Sequence, residues 1–223
     1  MNFVYRLHGE QHADLCRKSQ EMAGRHHDAT FTVYCDKDYG FENQHIVEGY
    51  HNKPFMLMTM MCQSHYLLTQ PKDGELVVFL DSDAFLLRPL PELGDFDVGV
   101  TWRDNMGDLS MLMPYNYGVV FAQRTVNAAC AWTWMCNRIT QMKPDYQKWY
   151  ADQVALRELV GPINYEDSVS IRDHGYFDVK VKHFPCEKFN WSPDNLEDPG
   201  DRYIVHFKGA RKDMADYYYR SAA

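Results

Sequence analysis

Residues Glu75–Leu90 read ELVVFLDSDAFLLRPL, an apolar run that ends on two aspartates separated by one serine. Leu76, Val77, Val78, Phe79 and Leu80 are apolar at every position, whichever face each occupies. That is the pattern of a strand covered on both sides inside an α/β sheet. Side chains alternate along an extended chain, so Asp81 and Asp83 are expected to project to the same side just where the strand leaves the sheet. Two carboxylates this close repel each other unless a cation lies between them.

Outward from this strand the chain alternates between strand and helix patterns. FVYRL (3–7) and TFTVYC (30–35) are expected strands on either side of a polar helix, 13–24, that Gly24 closes. In NKPFMLMTMMCQSHYLL, Phe55, Met58, Met61, Cys62 and Tyr66 recur at helical spacing behind Pro54, with the methionines as core filling. DFDVGVTW (95–102) and YGVVFAQ (117–123) are two further strands joined by a loop rich in Asn, Gly, Asp and Met. NAACAWTWMCNRITQM (127–142) is a helix that turns Trp132, Met135 and Cys136 inward. DQVALRELVG (152–161) is a short helix with Asp152 placed to cap it and Gly161 to end it. YFDVKVKHF (176–184) and RYIVHFKG (202–209) are the last strands, with Pro and Gly gathered in the loop SPDNLEDPGD between them.

At 223 residues the chain is long enough for one substantial core, and with no repeat or composition shift residues 1–223 are expected to form one domain. A hydrophobic fraction of 45% and a charged fraction of 24% are those of a soluble globular protein. No window reaches the roughly 20 apolar residues of a membrane span, and MNFVYRLHGEQ lacks the apolar segment of a secretory signal. A cytoplasmic protein is therefore expected. The six cysteines show no C-x-x-C spacing, so free buried thiols are expected rather than a zinc knuckle or a redox pair. A net charge of -8 and a pI near 5.6 argue against broad attraction to nucleic acid or anionic membrane, but leave room for a local basic site.

Such a site stands in HFKGARK (206–212), where an imidazole, a glycine and three cations lie within seven residues. Asp81, Asp83 and His206 suit a divalent cation such as Mn²⁺ or Mg²⁺, with open positions for phosphate oxygens. Gly209 and Lys212 beside that cation suit a diphosphate. Ligands of open α/β sheets bind at the C-terminal ends of strands, which is where both motifs fall. The same cluster, near the chain end, is expected to become fully ordered only over a metal-bound diphosphate.

VVFLDSDAFL resembles the D-x-D strand of glycosyltransferases with the GT-A fold, and HFKGARK resembles the H-x-x-G-x-x-K motif of their glycogenin-like and bacterial galactosyltransferase-like retaining branch. NYGVVFA and YADQVAL stand where that family has an Asn-small-Gly strand and an Asp-Gln pair beside the donor sugar, and GYHNKPFMLM loosely matches a segment that precedes the metal strand. The resemblance implies one GT-A, Rossmann-like α/β domain with a mixed, mostly parallel central sheet flanked by helices. It implies a metal-dependent transferase using a nucleotide-sugar donor, UDP-linked in the first instance, with retention. Asp81, Asp83 and His206 would hold Mn²⁺ or Mg²⁺, and Asp81 would also approach the ribose. Gly209 and Lys212 would hold the diphosphate, with Lys212 helping the leaving group. Asn116, Gly118, Asp152 and Gln153 would stand at the donor sugar, and Arg103 would reach the donor or remain a solvated loop arginine. Asp152 stays open between this role and a plain helix cap. Tyr117 replaces the family's small residue, which would narrow the sugar pocket or mark a different sugar.

Asp36 and Asp38 are weaker candidates for the base or ribose, with a plain loop the stronger reading. An inverting enzyme would need a base, for which Asp152 and Asp104 are the first carboxylates. Three alternatives remain beside the transferase. A phosphatase of the haloacid dehalogenase type also carries D-x-D, but on its first strand. A nucleotidyltransferase would want a Gly-rich basic loop at the N-terminus. A degenerate domain would bind a sugar or partner without turnover. The acceptor hydroxyl stays open among a glycan, a lipid-linked sugar, a protein side chain and a modified nucleobase.

Overall fold

The computed structural model describes residues 1–49, 53–103, 114–148, 150–163 and 169–221. Among them, eight strands form one twisted sheet: β1 (Asn2–Leu7), β2 (Thr30–Cys35), β3 (Gln44–Ile46), β4 (Leu76–Asp81), β6 (Val98–Trp102), β7 (Tyr115–Gln123), β8 (Ser170–Asp173) and β9 (Asp178–Pro185). Their order is β3-β2-β1-β4-β7-β6-β9-β8. β1, β2, β3 and β4 run parallel, β7 runs antiparallel to both its neighbours, and β9 is parallel to β6. The sheet is thus mixed and mostly parallel, flanked by helices, as expected.

Those directions decide where chemistry can gather. The C-terminal ends of β1, β4, β6 and β9 and the N-terminal end of β7 all open on one edge, and the register sets Arg6 beside Asp81 and Leu80 beside Val119. One face of the sheet carries α1 (Ala13–His26), whose Ala13, Cys16 and Ala23 pack with Phe3, Tyr5, Leu7 and Val33. The other carries α2 (Phe55–Thr69), α3 (Val126–Thr140) and α5 (Ala151–Val160), packed over Phe79, Val100 and Val120 around the fully buried Trp132. Burial of each large apolar side chain contributes roughly 1.5–3 kcal/mol, so this double cover fixes β4 on both faces.

A short helix, α4 (Pro144–Lys148), precedes α5, and another, α6 (Cys186–Phe189), follows β9. A separate two-stranded ribbon pairs β5 (Ala84–Leu86) with β10 (Ile204–His206), setting His206 opposite Ala84. Beyond it come a 3₁₀ turn, Gly209–Met214, and α7 (Ala215–Ser221).

Several expectations need correction. α1 continues past Gly24 to His26, because Gly24 packs near the Phe31 ring instead of turning the chain. In α2 the inward methionines are Met58 and Met60, while Met61 is 38% exposed. α5 begins after Tyr150, whose φ of 68° marks the helix start, so Asp152 lies inside the first turn and is not the cap. The C-terminal segment, expected to be tied down by a metal-bound diphosphate, also packs on the body of the fold: Phe207, Ala215 and Tyr218 are buried with Met22, Phe85 and Trp191, and Lys18 pairs with Asp216 at 2.6 Å.

All six cysteines are free thiols. Among the described residues, no helix is long and apolar enough to cross a membrane.

Candidate active site

Asp81 ends β4 and Asp83 sits just before β5, so the ribbon that pairs β5 with β10 brings His206 to both. The backbone locks this register: Phe207 N donates to Asp83 O at 2.9 Å and His206 N to Trp191 O at 2.6 Å. His206 Nε2 lies 3.2 Å from Asp83 Oδ1 and 3.6 Å from Asp81 Oδ2. One ligand atom from each of the three residues falls within 4.8 Å of the others, and among the described residues no other set of three such side chains converges as closely. At that range two carboxylates repel by roughly 3–4 kcal/mol for an effective dielectric of about 20, before solvent screening on the open side of Asp81.

The surroundings split the pair. Burial would raise the Asp83 carboxyl, but the charges of His206 and Lys212 outweigh it and hold Asp83 below the usual carboxylate range. Lys212 Nζ bonds directly to Asp83 Oδ2. Asp81 moves the other way, pushed up by burial and by Asp83 against the opposing charge of His206.

Gly118 has a role that the sequence did not suggest. Between the pairs Val100–Val120 and Trp102–Tyr115, one residue of β6, Thr101, faces four of β7, so the chain bulges at 116–119. Thr101 Oγ1, opposite the bulge, stands 2.9 Å from Asn116 O and 3.1 Å from Val119 O. A Cβ on Gly118 would lie 2.0 Å from His206 Cε1 and 3.0 Å from Asp81 Oδ2. Its missing side chain is the space that the imidazole fills. Gly209 differs: its φ of 58° demands glycine, while the space around its Cβ position is open.

Within electrostatic reach of Asp81, Asp152 is buried and its carboxyl is pushed up to about 6 by burial, with the Gln153 N–H opposing and Asp81 adding. Gln153 N donates to Asp152 Oδ1 at 2.8 Å. Asn116 Oδ1 accepts from Gly118 N at 3.2 Å. The Asn116 Nδ2 and Gln153 Oε1 atoms are buried with no hydrogen-bond partner among the described residues, although the Cys186 thiol lies close to Asn116. A buried polar atom left unpaired costs about 1–3 kcal/mol.

Cations stand near Asp81. Burial lowers the Arg103 guanidinium, and Lys208 is brought down to about 8 by burial, with Arg103 adding and Asp81 opposing. Arg6, which the sequence reading passed over, lies beside Asp81 in register with its guanidinium 3.4 Å from the centre of the Phe55 ring. Asn190, Thr101 and Cys186 were likewise missed as site neighbours, since each reaches the site through the fold and not through a motif.

Tyr117 packs in the core, and its hydroxyl donates to Gln63 Oε1 at 2.6 Å. That is a correction to its expected place in the sugar pocket, because the bulge turns its ring toward α2. Asp38 accepts from Gly40 N at 2.8 Å as a turn residue, and Asp36 accepts from the Tyr39 hydroxyl at 2.8 Å and lies 3.6 Å from His8. Asp104 lies outside the described residues.

The donor set, two carboxylates and one imidazole, fits a hard divalent ion.

No protein-family model matches the chain, and neither does any curated protein. Solved structures do. A glycosyltransferase involved in glycosylation of the major capsid of PBCV-1 superposes with a TM-score of 0.59 at 12% identity, over 99% of this chain and 98% of that one. The galactosyltransferase LgtC, in complex with donor and acceptor sugar analogs, gives 0.58 at 14% identity over 100% of this chain and 95% of that one. An active-site mutant of LgtC gives 0.58 at 14%, over 99% and 96%. The fold of this chain is the GT-A glycosyltransferase fold.

Proposed function

We propose that residues 1–223 form one catalytic domain of a metal-dependent glycosyltransferase, which moves a sugar from a nucleoside-diphosphate sugar, UDP-linked in the first instance, to an acceptor hydroxyl with retention. The observation that carries this reading is the convergence of Asp81, Asp83, His206 and Lys212 on one point at the strand ends of a GT-A sheet. The LgtC structure, bound to donor and acceptor sugar analogs, is similar along nearly the whole chain and supports the substrate class.

Asp81, Asp83 and His206 would hold Mn²⁺ or Mg²⁺. Such an ion, when bound, supplies Lewis-acid stabilisation to a departing diphosphate. The chain's own residues do the rest. Lys212 exchanges Asp83 for a phosphate oxygen, so its charge follows the leaving group. Asn116 Nδ2 and Gln153 Oε1 offer one donor and one acceptor to sugar hydroxyls that would otherwise stay unpaired. Asp152, ionised above about pH 6, faces the growing positive charge at the sugar carbon. The acceptor attacks on the face that the diphosphate leaves, and a phosphate oxygen of the donor accepts its proton. Six free thiols accord with a reducing, cytoplasmic setting.

The test is a panel of nucleotide sugars with Mn²⁺, reading release of UDP or GDP, followed by NMR of the anomeric centre in the product. Release from at least one donor, with retained configuration, is expected. An intact, metal-loaded protein that hydrolyses and transfers none of them contradicts the reading.

A further inference from the structure

We propose that Asn190 is a positioning residue that fixes the tautomer and orientation of His206, so that the imidazole presents the Nε2 lone pair to a metal. This rests on reading Asp81, Asp83 and His206 as a metal site. Asn190 follows α6, is 2% exposed, and places Oδ1 2.9 Å from His206 Nδ1. Which atom of each group is which follows from partners that can act in one way only. The backbone carbonyls of Asn116 and Val119 can only accept, so the single Thr101 hydroxyl proton points to them. Thr101 Oγ1 then accepts from Asn190 Nδ2 at 2.8 Å, and Asn190 Nδ2 also donates to Asn116 O at 3.3 Å. The Asn190 amide therefore turns its oxygen to the histidine. An oxygen there needs a proton on Nδ1, which leaves Nε2 to face Asp83 at 3.2 Å and Asp81 at 3.6 Å.

The ring is seated on one further side and its backbone is held on another. Gly118 leaves the space that Cε1 and Nδ1 occupy, and Ser192 Oγ donates to His206 O at 2.9 Å. The same bulge that opens space at Gly118 thus supplies, through Thr101, the acceptors that orient Asn190. Outer partners of this kind set the basicity and direction of a ligating histidine, and their loss commonly weakens metal binding by about 10–100-fold.

The test compares wild type with Asn190→Leu, Asn190→Asp and Thr101→Val. Two readouts are used: ¹⁵N NMR of histidine-labelled protein with Mg²⁺, with the His206 signals assigned by His206→Gln, and Mn²⁺ affinity by EPR titration of the metal alone. Wild type is expected to show the proton on Nδ1. Asn190→Leu is expected to mix tautomers and to weaken Mn²⁺ binding by about 10-fold or more. Asn190→Asp keeps an acceptor facing Nδ1 and is expected to restore the Nδ1–H form, which a role in packing alone does not predict. Should Asn190→Leu fail to fold, Thr101→Val frees the amide to turn, and a smaller shift of the same sign is expected. Wild-type tautomer and affinity in a folded Asn190→Leu or Thr101→Val protein overturns the proposal. If wild type binds no Mn²⁺ the metal reading falls, and the histidine spectrum alone then decides whether Asn190 fixes the ring.

Discussion

Around Asp83 and His206 the protein supplies its own partners, whereas among the neighbouring polar groups Asn116 and Gln153 each bury an atom with no hydrogen-bond partner among the described residues, and Asp152 is buried beside them. Asp83 has Lys212 and His206, and His206 has Asn190 behind it. Asn116 Nδ2 and Gln153 Oε1, by contrast, lack partners among the described residues, and the Asp152 carboxyl is pushed up to about 6. The contrast separates two kinds of readiness. In the first region Asp83 is paired within the protein by Lys212 and His206. The second keeps polar groups in an unfavourable state that a polyhydroxyl ligand would relieve.

The largest expected break in this comparison is Gly118→Ala. Its Cβ would fall 2.0 Å from His206 Cε1, so the ring must leave its seat. Mn²⁺ binding and transfer are expected to fall by at least 100-fold, read by EPR titration and product release, while nucleotide-sugar pocket residues away from the ring stay unchanged in sequence and fold. Normal Mn²⁺ affinity in Gly118→Ala would mean that the imidazole is not a ligand.

Asp152→Asn sharpens the other side. Holding a carboxyl at about 6 against an ordinary 3.8 corresponds to about 3 kcal/mol. The folded state binds this proton more tightly than the unfolded chain, so the favourable contribution is full below pH 3.8 and is lost as pH rises to about 6. Above that, the ionised group is a constant penalty. Asp152→Asn should therefore stabilise the ligand-free protein at pH 7 by up to about 3 kcal/mol, with the gain shrinking toward pH 4, while transfer is impaired. Denaturant melts across that pH range check it, and a loss of stability at pH 7 would show that Asp152 is structurally favourable as an anion.

A smaller and two-signed effect is expected for Lys212→Ala. Removing the ammonium leaves Asp83 with His206 alone beside it, which should cost about 1 kcal/mol in metal-free stability and tighten binding of Mn²⁺ alone. Thermal stabilisation by Mn²⁺ together with UDP should weaken. An effect of one sign on both would place Lys212 at the metal or at the diphosphate, but not at each in turn.

Least affected should be Tyr117→Phe, which removes a hydrogen bond to Gln63 at about 1 kcal/mol. Its donor-sugar profile should match wild type. A broadened profile would return Tyr117 to the sugar pocket.

The sequence was most legible where local pattern and tertiary burial agree. β1, β4 and β7 each carry an apolar stretch that is buried, residues 3–5, 77–80 and 119–122, so composition marks them. β3 and β8 are short edge strands with half-polar sequences, and periodicity says little about them. β5 was hidden because AFL continues an apolar run, and its partner β10 lies more than a hundred residues away. In the site, Asp81, Asp83, His206 and Lys212 were readable because their spacing carries a known chemistry. Gly118 was noticed, but its neighbour was not, since the bulge that turns it toward His206 comes from an uneven register between β6 and β7. Asn190 gave no local signal, because its role is set by Thr101 and by two carbonyls that the fold brings beside it.

The central claim is that Asp81, Asp83 and His206 serve a divalent metal in sugar transfer, and turnover under chelation tests it most directly. With the best donor of the nucleotide-sugar panel, excess chelator should abolish release of the nucleoside diphosphate, added Mn²⁺ should restore it, and Asp83→Asn should stay inactive under both conditions while remaining folded. Full turnover in excess chelator would contradict the account.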